Sequence, residues 1–181
     1  MSRDGICNLT TGELEVVGTA GSLAGHDLGG RTIVSVPTGW PFSERWDDVT
    51  QAFVADLTAP KAAAKRAVEA ARDATMNGGC PATIGTIDND EQSRLYVAGA
   101  VSMAQIASAA AQPFLMRWRL QDNSYADLDA SEMIALGVEL GGFVNDCCQT
   151  AFDLKDEIDA AADESEVDAV DIAAAFAALI A

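Results

Sequence analysis

The chain of 181 residues suits one domain, or one domain with an appendage, because domains commonly hold about 100–150 residues. Its 49% hydrophobic and 22% charged residues match an ordinary globular protein and exclude general disorder. The 28 acidic and 11 basic residues give a net charge of −17 at pH 7. That sign disfavours binding to nucleic-acid phosphates or to an anionic membrane surface.

The first residues carry no secretory signal, because MSRDGICNLTTGE lacks an apolar segment behind basic residues. No apolar run reaches the length of about 20 residues that a membrane-spanning helix needs. We therefore expect a soluble protein that is made in the cytoplasm and has no membrane partner.

Residues 1–58 are poor in helix signals and rich in glycine, threonine and β-branched residues, which predicts a small β-rich module. The segments 7–9 and 13–19 flank a Thr-Gly turn and predict a hairpin. A further strand is expected at 31–36.

The end of this module is aromatic. Trp40, Phe42, Trp46 and Phe53 flank an Asp-Asp pair, which predicts a turn between two short strands with exposed edges. Tryptophan is frequent both in small cores and at contact surfaces. The favoured interpretation is the core of the module, and the alternative is a surface that docks a partner.

Residues 59–80 predict an alanine-rich connector helix, with Pro60 in its first turn and a Gly-Gly pair as its stop. Its apolar face is thin, so we expect either a solvent-exposed connector or one member of a helical bundle. Four of the 11 basic residues lie on it, but Glu69 and Asp73 are interleaved with them. This arrangement argues against a nucleic-acid site.

Residues 81–181 predict a helical domain with one β-hairpin at about 114–128, so the fold class of the chain is predicted as α+β. An extended pattern at 82–88 precedes a helix at about 90–112, whose small side chains permit close approach of another helix. An Asp-Asn pair supplies the turn of the hairpin.

Two helices are predicted after the hairpin. Asp129 and Glu132 form a capping-box pattern at the start of the first, which extends to about residue 162. The second is expected to begin at a Ser165 cap. Residues of the first recur at steps of four and three, the spacing of a heptad seam: Leu140, Val144, Cys147, Ala151, Leu154 and Ile158. The seam favours packing on the 90–112 helix of the same chain over an intermolecular coiled coil.

The acidity is concentrated in the C-terminal third. Residues 1–119 hold 13 acidic and 10 basic residues, a net −3, whereas residues 120–181 hold 15 acidic residues and one basic residue, a net −14. Most of these carboxylates fall off the seam, as a solvated helix face requires. The favoured interpretation is solubility, and the sharper alternative is a mimic of DNA phosphate.

No motif with a catalytic mechanism is present. Cys7, Cys80, Cys147 and Cys148 match no zinc spacing, and the single histidine, His26, lies far from them in a glycine-rich segment. The run 88–91 resembles the start of a calcium loop but lacks its glycine and its distal glutamate, so helix capping explains it better. We therefore predict a protein that is not an enzyme, with no catalytic residue, cofactor or metal.

The stretch 84–172 resembles a helical domain family of unknown function found in tailed-bacteriophage tail proteins, of the tail-fibre and tail-fibre-assembly type. The resemblance is carried by IDNDEQSRLYVAGAVSMAQIA, MRWRLQDNSYADLDASEMIALGVELGGFV and FDLKDEIDAAADESEVDAVDI. The middle string is the most specific, because it keeps the order and spacing of seven residues: Trp118, Asp122, Asn123, Ser124, Leu128, Met133 and Leu136.

The resemblance implies a virion protein of the viral tail, present in several copies or as a homo-oligomer and bound to other tail subunits. We expect a structural protein of the distal tip, baseplate or tail fibre, docked through Trp40, Phe42 and Trp46. A tail-fibre assembly chaperone is the alternative, and an acidic DNA mimic that inhibits a host DNA-binding protein is the third hypothesis.

Overall fold

A computed structural model of the chain describes residues 3–8, 14–19, 31–36, 44–47, 49–50 and 52–181. The chain divides into two compact units, Met1–Pro60 and Lys61–Ala181. Short antiparallel strand pairs and helices make the fold α+β, as predicted.

The first unit contains a three-stranded antiparallel sheet. Strand β1 (Arg3–Asn8) lies between β2 (Leu14–Thr19) and β3 (Arg31–Val36), and its pairing with β2 carries an irregularity between Ile6 and Cys7. The predicted pairing of the first two segments and the strand at 31–36 are confirmed. The turn predicted between β1 and β2 lies outside the described residues.

A second strand pair of this unit joins β4 (Glu44–Asp47) to β5 (Ala52–Ala55). The two predicted strands are confirmed. The rings of Trp46 and Phe53, which are cross-strand partners, meet edge to face with centroids 5.3 Å apart. Trp40, Phe42 and His26 lie outside the described residues.

Helix α1 (Thr58–Asn77) ends where the chain turns at Gly79, whose φ of +113° favours glycine. The extended pattern that follows forms a tight hairpin of β6 (Cys80–Ala82) and β7 (Gly85–Ile87). The helix and its Gly-Gly stop are confirmed.

Helix α2 (Glu91–Ala109) begins at an Asp90 cap, whose carboxylate accepts hydrogen bonds from the backbone N–H groups of Gln92 and Ser93 at 2.9 and 3.1 Å. Asp90 therefore has the capping role that the sequence predicts for this run. The helix ends four residues before the proline that the prediction uses as its stop.

The hairpin of β8 (Leu115–Arg119) and β9 (Tyr125–Asp129) follows as predicted. In its turn the Asp122 carboxylate accepts from the Ser124 N–H at 2.8 Å, and Asn123 has a φ of +68°, a value that asparagine tolerates better than most residues. The turn chemistry explains why this segment folds back.

Helix α3 (Ala130–Ala160) is continuous over 31 residues. The predicted capping box is confirmed: Asp129 accepts from the Glu132 N–H at 3.0 Å, and the Glu132 carboxylate accepts from the Asp129 N–H at 2.8 Å. These two bonds satisfy otherwise unpaired backbone groups at the start of the helix.

The prediction of a single last helix from a Ser165 cap is wrong. Two short helices are present, α4 (Glu164–Asp168) and α5 (Ile172–Ala177). Each begins at its own aspartate: Asp163 accepts from a backbone N–H of α4 and Asp171 from one of α5, both at 2.9 Å. The second cap starts a new helix.

The seam of α3 packs within the chain, as the favoured interpretation predicts, but in two clusters rather than against one helix. Of its six residues all but Val144, which is partly buried, are buried. Its N-terminal part joins a cluster with α2 and both hairpins. Its C-terminal part packs with α1 and α5, where the fully buried residues include Val68 and Ile158. Helix α1 is therefore a packed member of the second unit and not a solvent-exposed connector.

Candidate interaction surfaces

Close packing of α2 on α3 decides which side of α2 faces solvent. Ala100 and Ala104 of α2 are buried, and Gly137 of α3 lies against Val101. A Cβ placed on Gly137 would come within 2.5 Å of a Val101 methyl carbon, so only glycine fits there without a shift. The small residues that the sequence indicates do permit a close helix contact.

The opposite side of α2 carries a row of large apolar side chains that are exposed to solvent. We call it the α2 stripe, and its four large members are 57–63% exposed: Leu95, Tyr96, Met103 and Ile106. No residue from 95 to 109 is charged. Gly99, on the same face, has open space around it. Contiguous exposed apolar surface of this kind marks interaction sites.

Beside the stripe, a groove of about 500 Å³ lies between α2 and α3. Its lining is mainly apolar and includes Ala98 and Val101 from α2 and Val138, Gly141 and Val144 from α3. Gly141 leaves part of it open, because nothing lies within 4 Å of the position its Cβ would take. The α2–α3 groove and the α2 stripe thus share one helix.

A smaller cavity of about 330 Å³ lies at the other flank of α2 and is lined by Asp88, Ser93, Tyr96, Arg117, Trp118 and Arg119. Arg117 is already engaged: its Nε donates to the Asp127 carboxylate at 3.1 Å, and its guanidinium lies 5.6 Å from the centroid of the Tyr125 ring. The hydrogen bond that Arg117 donates to the Asp127 carboxylate raises the pKa of the Arg117 guanidinium. The cavity combines cationic and aromatic groups, and Tyr96 connects it to the stripe.

The outer face of α3 has the opposite character. Asp146, Asp153, Asp156 and Glu157 are exposed along it, as the sequence predicts. Glu139 differs, because its carboxylate accepts from the backbone N–H and the hydroxyl of Thr83 at 2.9 and 2.6 Å. It is a structural contact between α3 and the β6–β7 turn.

Helix α1 supplies part of the counter-charge. Lys65 donates to Asp159 at 2.6 Å, and Glu69 accepts from Lys155 at 2.8 Å. That hydrogen bond with Lys155 lowers the pKa of Glu69. Lys65 of α1 therefore serves as an ion partner of α3, and Glu69 of α1 pairs in the opposite sense with Lys155 of α3.

The structure places none of the four cysteines in a disulfide bond. Cys80 and Cys147 are completely buried in the same cluster. Burial, followed by the nearby Glu139 and Cys147, raises the pKa of the Cys80 thiol to about 11. Such a thiol acts as a small apolar core residue. Within the described parts of the chain, no three histidine, cysteine or acidic side chains could together hold a metal ion.

Sequence reasoning missed the α2 stripe. The usable signal is the recurrence of large apolar residues at 95, 103 and 106 on one side of a helix. After Arg94 that helix contains no further charged residue.

Within the described parts of the chain, no helix combines the length and the apolar character needed to span a membrane.

The model of a domain of unknown function, DUF4376, matches residues 59–174, more than half of the chain. The chain belongs to the DUF4376 family. The matched DUF4376 region begins with α1 and reaches into α5, so it covers both clusters of the second unit. No curated protein and no solved structure matches the chain.

Several residues on which the resemblance expected from the sequence rests have structural roles in this DUF4376 region. Asp122 and Asn123 form the β8–β9 turn, and Leu128, Met133 and Leu136 are buried in the cluster that the hairpin shares with α3. They specify how the hairpin and α3 are joined. The exposed residues of the α2 stripe are a separate set.

Proposed function

We propose that this protein is a non-enzymatic structural component of a bacteriophage tail, in the distal tip, baseplate or fibre, that acts through protein–protein contacts. The phage-tail resemblance of the string from Met116 to Val144 supports the tail context. The α2 stripe carries the proposal of contact surfaces, because a helix with four large exposed apolar side chains suits an extended protein interface.

The first unit supplies a second kind of contact. In its described three-stranded sheet, β2 and β3 are the outer strands, and no other described strand pairs with their far edges. Unpaired strand edges can add a strand from another chain. Together with the expected docking role of Trp40, Phe42 and Trp46, this supports attachment to a neighbouring tail subunit through the first unit.

The test is proteomic analysis of particles purified from a lysate of cells in which the gene is expressed with its neighbouring phage genes. We expect the chain in the particles at a fixed ratio to a tail protein. If the chain is absent from the particles but co-purifies with the free tail fibre, the assembly chaperone replaces the structural component as the proposed function. Absence from both would remove the tail function.

The carboxylates exposed along α3 favour one further candidate, an acidic mimic that inhibits a host DNA-binding protein. Such binding is electrostatic and would weaken steeply with salt, since exposed charges are screened within about 8 Å at physiological ionic strength. If the chain binds a basic host protein with the same affinity at low and at high salt, the DNA-mimic function is excluded.

A further inference from the structure

We propose that a second copy of this chain docks on the α2 stripe, with the two α2 helices antiparallel about a two-fold axis between positions 100 and 101. This inference deepens the proposed function, because it names one contact by which copies of a tail component would associate. The dimer contact is tested on the purified chain alone, whereas the tail function is tested on particles. A negative result in one experiment therefore does not decide the other.

The distribution of charge favours a second copy of the chain as the binding partner of the α2 stripe. With −17 per chain, two copies repel each other, and this repulsion is weakest when they meet where neither carries charge. The stripe offers this surface, because residues 95–109 contain no charged side chain, whereas the outer face of α3 is lined with exposed carboxylates. A strongly basic partner would gain from the α3 face and nothing from the stripe.

The order of side-chain sizes along the stripe is self-complementary. An antiparallel pairing about positions 100 and 101 places Leu95 opposite Ile106 of the second copy. It also places Gly99 opposite Ser102, and Met103 opposite Ala98. Small residues thus meet at the centre, where Gly99 has open space, and large ones pack at both ends. A two-fold axis requires this reciprocal pattern, because the same patch is used twice.

The size of the surface predicts a modest affinity. Helix α2 has 19 residues and is about 28 Å long at 1.5 Å per residue. A stable interface buries about 800 Å² per partner, which is more than one such helix face supplies. The groove rim at Ala98 and Val138 extends the apolar area sideways. We expect dissociation in the micromolar range and stronger association when salt screens the repulsion.

The experiment is sedimentation equilibrium of the full chain over a concentration series, at low and at high sodium chloride. We expect a monomer–dimer equilibrium whose dimer fraction rises with salt, because an uncharged contact is retained while like-charge repulsion is screened. Strictly monomeric behaviour at both salt concentrations, throughout the series, would overturn the inference.

Two variants place a charge in the stripe, Met103→Glu and Ile106→Glu. Each should raise the dissociation constant about tenfold or more, the effect of losing more than about 1.4 kcal/mol at an interface. The matched control is Phe152→Glu, which adds the same charge at an apolar residue of α3 that is 52% exposed. The control should raise the dissociation constant much less, through net charge alone.

The polar variants Met103→Gln and Ile106→Ser repeat the test without a new charge, and circular dichroism verifies that every variant is folded. An equal mixture of Gly99→Cys and Ser102→Cys chains should form an intermolecular disulfide faster than either variant alone or the wild type.

A dimer that the stripe variants leave intact would overturn the inference and point to the first unit or the α2–α3 groove as the contact.

Discussion

Helices α2 and α3 pack against each other along one side and present opposite surfaces on the other. The outer side of α3 carries exposed carboxylates, whereas the outer side of α2 carries large apolar groups and no charge between residues 95 and 109. Both helices start with an aspartate cap, so their local folding signals are alike. The difference therefore lies in the side chains that each outer surface carries: charged on α3, as a solvated surface requires, and apolar on α2, as a contact surface requires.

The contrast also changes the meaning of the net charge of −17. As a property of the whole chain it argues against nucleic-acid and membrane partners. Distributed over the structure, it makes the uncharged side of α2 the exception in an acidic unit. The following four predictions test this comparison, beginning with the largest expected effect.

The inner side of α3 should be the most sensitive to truncation. Leu136 is 2% exposed and belongs to the cluster shared with α2, so Leu136→Ala should lower the free energy of unfolding by about 2–5 kcal/mol. The control is Val138→Ala, two residues along and 70% exposed, which should change it by less than about 0.5 kcal/mol. Urea denaturation measures both. Equal effects would mean that this side of α3 is not the buried one.

The contact between the two helices can be tested at one glycine. Gly137→Ala places a methyl group against Val101 and should destabilise the fold by about 1–3 kcal/mol. Gly141→Ala, one turn further and in open space, should instead stabilise it by about 0.5–1 kcal/mol, since alanine favours a helix interior.

A double variant separates crowding from other causes. If Gly137→Ala acts through the methyl group of Val101, then Gly137→Ala combined with Val101→Ala should cost less than the sum of the two single changes. Thermal unfolding of the four proteins measures the coupling. Additive effects, or a Gly141→Ala variant as unstable as Gly137→Ala, would contradict the close contact.

The two caps should differ and should depend on pH. Hydrogen bonds donated by the backbone N–H of Glu132 and by Ser131 lower the pKa of Asp129 below its ordinary 3.8, and those donated by Ser93 and Gln92 do the same for Asp90. A carboxylate whose pKa is lower in the folded state stabilises the fold above the ordinary value. This contribution is lost as the pH falls from 3.8 through the folded-state pKa.

We therefore expect Asp129→Ala and Asp90→Ala to destabilise at pH 7 by less than Gly137→Ala. Asp129→Ala should have the larger effect of the two, because it also breaks a capping box. Both differences from the wild type should shrink on acidification towards pH 3. Thermal melts across this range provide the measurement, and a difference that grows on acidification would contradict the assignment.

The smallest effect is expected where α1 meets α3. Lys65 is paired with Asp159, and the two side chains are 34% and 57% exposed, so Lys65→Gln should cost less than about 1 kcal/mol and less still at high salt. Arg66→Gln is the matched control, because no described carboxylate pairs with Arg66. Identical results for the two variants in urea at low salt would mean that the pair contributes nothing.

The elements with local signals could be predicted from the sequence. Asp129 with Glu132 indicates the start of α3, the Gly-Gly pair the end of α1, and the Asp-Asn pair the β8–β9 turn. Each acts through backbone groups a few residues away, so the pattern alone carries the information. The division of the last helix was missed, because an alanine-rich segment is helix-prone and its second aspartate cap is a weaker signal.

The contact surface could not be predicted in the same way. Helix α2 has apolar residues on all sides, with Val97 and Ala104 inward and Leu95 and Met103 outward. A periodic pattern locates a core face only when the other face is polar. The packing of α2 on α3, where Gly137 lies against Val101 and Ala104 is buried, shows which side is covered. The division of the α3 seam between two clusters likewise depends on where α1 and α5 lie.

The length of α3 has a consequence for how the second unit opens. The helix contributes residues to both clusters, and Leu179 packs against both. Loss of either cluster therefore leaves half of one continuous helix without support. The backbone amides in the middle of α3, around Cys147 and Ala151, should then exchange their hydrogens with solvent only when the whole unit unfolds. The short helices α4 and α5 have few such amides and should exchange through smaller openings.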